Sequence, residues 1–238
     1  MEITQAAPIQ TRDVPTMGAP PRACGAVALA VAGPKPGGPG ETRLLRLSQS
    51  GSLKCLFPYP RGLGMDAVLV NTAGGITGGD RFETAVHAGA GTTVTVTTQA
   101  CERAYAASPG AVGRLETRLS LDDGARLDWI PQETILFDHT ALTRRLTVTM
   151  APGASALICE PVLFGRAAMG EELRSARFHD RIEIRRDGVE VYRDAMRLDG
   201  DIAARLDAPH GAGGARALAT LVYVGADAEA HLAPIRAG

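Results

Sequence analysis

The sequence predicts a mostly β chain in one domain, its strands stacked or helically wound into β-layers, with about two short helices. Three observations carry this. Segments alternating between apolar and polar residues recur from Ala67 onward, which is the period of a half-buried strand. Between them lie turns built on glycine: Ala90-Gly91, Asp123-Gly124, Pro152-Gly153 and Asp187-Gly188. Those glycines are 33, 29 and 35 residues apart, the spacing of strand-turn-strand layers that each bury a face on the next. A plain β-sandwich with regular hairpins satisfies the same spacing.

Residues 1–21 are rich in Pro, Thr and Ala without periodicity and cannot bury enough apolar area to offset their ordering entropy. We therefore expect a mobile tail over 1–21 and a single β-rich domain over 22–238. Ala26 to Ala32 and Arg43 to Leu47 are predicted strands flanking the Pro/Gly loop from Gly33 to Gly40. A short apolar strand follows at Ala67 to Val70. In Thr92 to Thr98, Val94 and Val96 fall on one face and threonines on the other, all β-branched and suited to a pleated surface. Gln99 to Ala107 holds good helix formers closed by Ser108-Pro109-Gly110, which predicts a helix of at most two turns. Further strands are predicted at Arg126 to Ile130, Leu146 to Met150, Ser155 to Glu160, Arg181 to Arg185 and Val189 to Arg193. A second short helix is predicted at Ala226 to Leu232.

Composition narrows function by exclusion. Lys+Arg 25 against Asp+Glu 26 leaves a formal net charge of −1, with neither sign in blocks, so nucleic acid and anionic lipid are not expected partners. No apolar run approaches the ~20 residues of a spanning helix, and the N-terminus lacks the basic start and apolar core of a secretory signal. A cytoplasmic location follows as the expectation. Cys24, Cys55, Cys101 and Cys159 have no paired CxxC spacing and are expected as buried thiols, Cys159 in a core strand.

The decapeptide Asn71 to Asp80 (NTAGGITGGD) resembles a phosphate loop only superficially, since no Lys-Ser or Lys-Thr follows the glycines and a strand comes next. It reads as a tight crossing where glycines allow close backbone approach and Asp80 caps the turn. Pro131 interrupts the strand after Trp129 at an edge or bulge, leaving Glu133 either inward or solvated. In Phe164 to Glu171, Arg166 and Glu171 are placed for an ion pair across a glycine-punctuated turn. His179-Asp180 offers an imidazole and a carboxylate, donors that suit a borderline divalent metal. No HxH, HExxH or CxxC cluster and no nucleophile elbow occurs.

AGGITGGD ending at Asp80, Thr97-Thr98-Gln99-Ala100, Trp129 to Asp138 and Phe164-Gly165-Arg166 to Glu171 resemble, in this order, motifs of the urease accessory protein D family (UreD, also called UreH). The resemblance covers about Leu53 to Asp199 and, more faintly, Ala217 to Gly225. It implies a non-enzymatic maturation chaperone of stacked strands, with no permanently bound cofactor. It also implies binding to apo-urease and to accessory protein F, which recruits the GTPase accessory protein G. Nickel would be in transit along an internal water-filled path, for which Asp80, Glu133, Asp138, Glu171 and Asp180 are the candidate residues. A conduit needs oxygen and nitrogen ligands that release the ion, not a cysteine cage. Family members continue further past the equivalent of Gly225, so we expect an unpaired strand edge here and poor solubility without a partner. Two other readings stay open: a layered β glycosidase using two of Glu133, Glu160 and Glu171, and an interaction module with no metal role. Against the first, aromatic residues make up 4% of the chain and Trp129 is its sole tryptophan.

Overall fold

The computed structural model describes residues 21–33, 40–59 and 62–237. The predicted tail, but for Pro21, and the centre of the Pro/Gly loop lie outside the described residues. In chain order the elements are β1 (Cys24–Ala32), β2 (Arg43–Gly51), β3 (Leu53–Leu56), β4 (Met65–Asn71), β5 (Arg81–Ala88), β6 (Thr93–Thr98), β7 (Glu102–Ala104), β8 (Gly113–Leu121) and β9 (Arg126–Trp129). They continue with β10 (Thr134–Leu136), β11 (Ala141–Met150), β12 (Ser155–Phe164), β13 (Ala176–Arg186), β14 (Val189–Gly200), α1 (Ile202–Asp207), β15 (Ala217–Val224) and α2 (Leu232–Ala237).

Two sheets face each other. The first runs β14-β13-β11-β8-β5-β1-β2, parallel from β13 to β1 with an antiparallel strand at each edge. In the second, β12 pairs with β9 through its first half and with β10 through its second, while β15 lies antiparallel along its other edge. β6 pairs with β9 and β7 with β10 in the same way. Thus β6/β7 and β9/β10 are two interrupted strands, and β4 and β3 complete the sheet. From β4 to β13 the chain crosses from one sheet to the other at every turn, adding a parallel strand to each. This is the helically wound arrangement the glycine spacing predicts.

The inward positions of both sheets form one core. Phe82, Leu119, Leu146, Ile182 and Ile184 from the first sheet meet Val94, Val96, Leu127, Ile158 and Val162 from the second. Alternation is strict along β11 and β12, whose inward residues are buried at every second position.

Turns stack as the strands do. Gly91 N–H donates to the Asp123 carbonyl at 3.1 Å, and Gly153 N–H to the Asp123 carboxylate at 2.9 Å. Gly91 and Gly124 have φ of 66° and 68°, the left-handed region that favours glycine. Three of the four predicted glycine turns carry the chain between sheets, and Asp187-Gly188 closes the β13–β14 hairpin.

Gln99 to Ala107 is not a helix. Its centre is β7, whose Glu102 N–H donates to the Glu133 carbonyl at 2.9 Å while the Arg103 carbonyl accepts from Ile76 N–H at 2.8 Å. Ladder partners on both sides override the segment's helix propensity. The second predicted helix is a single 3-10 turn at Ala228–His231 leading into α2. α1, capped by the Asp201 carboxylate accepting from Ala204 N–H, was not among the expected elements. Of the cysteines only Cys55 is buried; Cys24 is exposed, and Cys101 and Cys159 are half-buried. Cys159 faces outward from β12, between inward Ile158 and Glu160.

Candidate functional site

A cavity of about 200 Å³ lies between the sheets, bordered by both interruptions of the second sheet. Thr98 to Glu102 and Pro131, Gln132 and Thr134 form one side, Phe82, Thr84, Leu115 and Thr117 the other, with Trp129, Arg144 and Glu160 also on the wall. Proline at 131 removes a ladder donor, so the strand stops at Trp129 and resumes at Thr134. The gap admits polar side chains into an otherwise apolar sandwich.

Arg144 is the centre of that polar wall. It projects inward from β11 between Leu142 and Leu146, with only 8% of its side chain exposed. Its Nη1 lies 2.6 Å from Glu160 Oε2, its Nη2 2.6 Å from Asp180 Oδ2, and its Nε donates to Asp180 Oδ1 at 2.9 Å. Trp129 Nε1 donates to Glu160 Oε1 at 2.7 Å. Burial alone would lower the guanidinium's proton affinity, but Glu160 and Asp180 outweigh it and hold the positive charge. Burial pushes Glu160 up, against the pull of Arg144 and the Trp129 donor. One cation thus faces two carboxylates, an interior weighted toward negative charge.

Glu102 adds a further carboxylate on the cavity wall. Asn71 Nδ2 donates to its two oxygens at 3.0 and 3.1 Å, and burial raises its pKa. Nothing in the sequence reading singled out Glu102; its place follows from β7 being a strand.

The five sequence candidates divide by position. Asp80 is buried and saturated by backbone: Oδ1 accepts from Ala23 N–H and Oδ2 from Thr77 N–H, both at 2.8 Å. It caps the NTAGGITGGD crossing as expected. Asp180 is held by Arg144. Its neighbour His179 points to the opposite face of β13, where Nε2 is 3.0 Å from Asp199 Oδ1, so the His-Asp pair does not converge on one metal. Glu133 sits half-buried in the β9–β10 interruption, beside the cavity residues Gln132 and Thr134.

Asp138 and Glu171 lie in the stacked loops at the end of the sandwich opposite the glycine turns. Asp138 accepts from Ser175 N–H at 2.9 Å. Glu171 takes the Arg166 pair, Nε to Oε2 at 2.7 Å, which is the ion pair the sequence suggested and which holds its carboxyl low. Arg166 in turn lies over the Phe137 ring at 4.3 Å, and Phe137 meets Tyr105 edge-on at 4.9 Å. Among the described residues no group of three or more His, Cys, Asp or Glu side chains is placed to hold a metal ion, and no helix is long and apolar enough to cross a membrane.

Comparison with known proteins agrees with the motifs. A urease accessory protein UreD of Ruegeria pomeroyi is 56% identical over 191 residues, covering 80% of this chain and 74% of that protein. One from Ruegeria sp. (strain TM1040) is 50% identical over 228 residues, covering 94% and 75%. One from Rhizobium rhizogenes is 48% identical over 198 residues, covering 83% and 72%. With the family's own profile, UreD urease accessory protein, matching residues 24–238, the chain belongs to the UreD family of urease accessory proteins, which are accessory factors and not enzymes.

Proposed function

We propose that this protein acts in urease maturation by binding apo-urease with accessory proteins F and G and passing nickel toward the urease active site. The carrying observation is the cavity between the sheets: its wall is mainly apolar but carries the carboxylates of Glu102 and Glu160, and no closed ligand cluster stands in it among the described residues. Oxygen donors scattered along a wall engage a divalent cation and let it go, which suits cargo in transit better than a resident metal. On this reading the ion passes Glu102 and Glu133 at the strand interruptions. Asp138 and Glu171 belong to the loop end of the route, while Asp80 and Asp180 brace its walls.

The experiment is co-purification with apo-urease and the F and G proteins, followed by nickel-dependent urease activation. Glu102→Gln, Glu133→Ala and Glu171→Ala variants that still assemble are expected to lose most activation. Full activation by all three would leave the chain an interaction module with no metal role, the reading its abundance of exposed strand surface also accommodates.

A further inference from the structure

The outward face of the first sheet carries a cation-rich lattice that the cavity does not use. Registered neighbours on this face include Arg81 with Arg114 and Arg145 with Arg181, like charges side by side. Such pairs are destabilising within a sheet unless something else answers them. At the centre, Arg145, Arg181 and Arg193 all converge on Glu183, with Arg145 Nη2 2.9 Å and Arg193 Nη2 3.7 Å from its oxygens. The carboxylate is sunk, 9% exposed, whereas the three guanidinium side chains are 52%, 44% and 48% exposed. Partly exposed Glu83, Glu116, Glu190 and Asp199 also stand on this face and pair Arg118, Arg193 and Arg197. The arginines outnumber the carboxylates, so what it presents to solvent is an excess of guanidinium on a chain whose formal net charge is −1. Between β8 and β11 a surface dent of about 260 Å³ is lined by Glu116, Thr117, Arg118, Arg145 and Thr147. Glu116 pairs Arg118 at 2.6 Å there, and Arg145 borders the opposite side, so a carboxylate entering the dent meets Arg145 and competes with Glu116 for Arg118.

We propose that this arginine face is a docking surface for an acidic face of a folded protein partner, whose carboxylates take the rim guanidiniums and reach into the β8–β11 dent. Charge complementarity argues for that occupant: planar guanidiniums pair with carboxylates in bidentate fashion, and exposed rows of them accelerate encounter. Short threonines between them, Thr143, Thr147 and Thr149, leave the face flat enough for another protein to lie on.

The test uses the full chain with two probes, poly-L-glutamate and a duplex RNA of matching charge, and repeats the measurement with apo-urease. The parent is expected to bind poly-L-glutamate, with affinity falling about tenfold between about 50 and about 300 mM NaCl. The Arg118→Gln/Arg145→Gln/Arg193→Gln variant should lose at least about tenfold, the corresponding Lys variant should retain part of the binding, and Glu183→Gln should tighten it. A general folding defect would weaken all three, so tightening in Glu183→Gln separates the two causes. Unchanged binding in the Gln variant, weaker binding in Glu183→Gln, or RNA binding equal to that of poly-L-glutamate overturns the proposal. Full nickel-dependent activation by the Glu102→Gln, Glu133→Ala and Glu171→Ala variants, with poly-L-glutamate binding intact, strikes instead at the conduit and leaves this surface standing.

Discussion

Arg144 ties β11 to β12 and β13 from the inside, and its removal should be among the most costly single changes in the chain. Arg144→Met leaves buried Glu160 and half-buried Asp180 without their cation, which we expect to cost roughly 3–5 kcal/mol by urea unfolding. Adding Glu160→Gln and Asp180→Asn to that variant should recover part of the loss, because the penalty lies in stranded charge. No recovery would place the cost in packing. Glu102 behaves in the opposite sense. Its folded pKa is raised by burial, so its favourable contribution is present below the unfolded value and fades as pH rises through the folded one. Glu102→Gln should therefore raise the melting temperature at pH 7 and match the parent below about pH 4, near the free carboxyl value. Equal melting temperatures at both pH values would contradict a burial penalty at Glu102. Sequence alone did not reach Arg144 or Glu102: the predicted strand began at Leu146, two positions past Arg144, and Glu102 fell inside the predicted helix of Gln99 to Ala107. Only the partner carboxylates on other strands make Arg144 tolerable at its position.

At the scale of elements, what could be read from sequence was local and what could not was set by neighbours. The glycine turns were legible because left-handed φ at Gly91, Gly124 and Gly188 is a property of one residue. β7 was illegible because nothing within Gln99 to Ala107 records that Ile76 and Glu133 flank it. α1 did carry a signal, Asp201 ahead of good helix formers, but six residues are too short for periodicity to show. The NTAGGITGGD crossing shows how an element depends on its glycines. Gly75 has φ of 149°, and a Cβ there would stand 2.4 Å from the Tyr105 ring and 2.7 Å from the Arg103 carbonyl. Gly75→Ala must strain the backbone and push Tyr105 from Phe137, at an expected cost of about 1–3 kcal/mol. Near-ultraviolet circular dichroism, sensitive to that aromatic pair, should change with it; an unaltered spectrum and stability would show that the loop has room to yield.

For the whole molecule, the wound topology makes a specific demand on cooperativity. Each layer buries its face only on adjacent layers, yet Leu146 on β11 and Trp129 on β9 belong to one continuous core. Stacked-layer proteins transmit stability through such neighbour interfaces. Leu146 is 1% exposed, so Leu146→Ala should cost about 2–5 kcal/mol. The loss should appear as a single shift of the entire urea transition, read identically by strand circular dichroism and by the fluorescence of Trp129, the sole tryptophan. Leu221 on β15 is 64% exposed, and Leu221→Ser should stay within about 0.5 kcal/mol. If Leu146→Ala instead splits the transition, with Trp129 reporting one step and the strands another, the layers unfold as separate units. The interior polar wall anchored by Arg144 would then be assembled and lost independently of the arginine face on the outside of the same sheet.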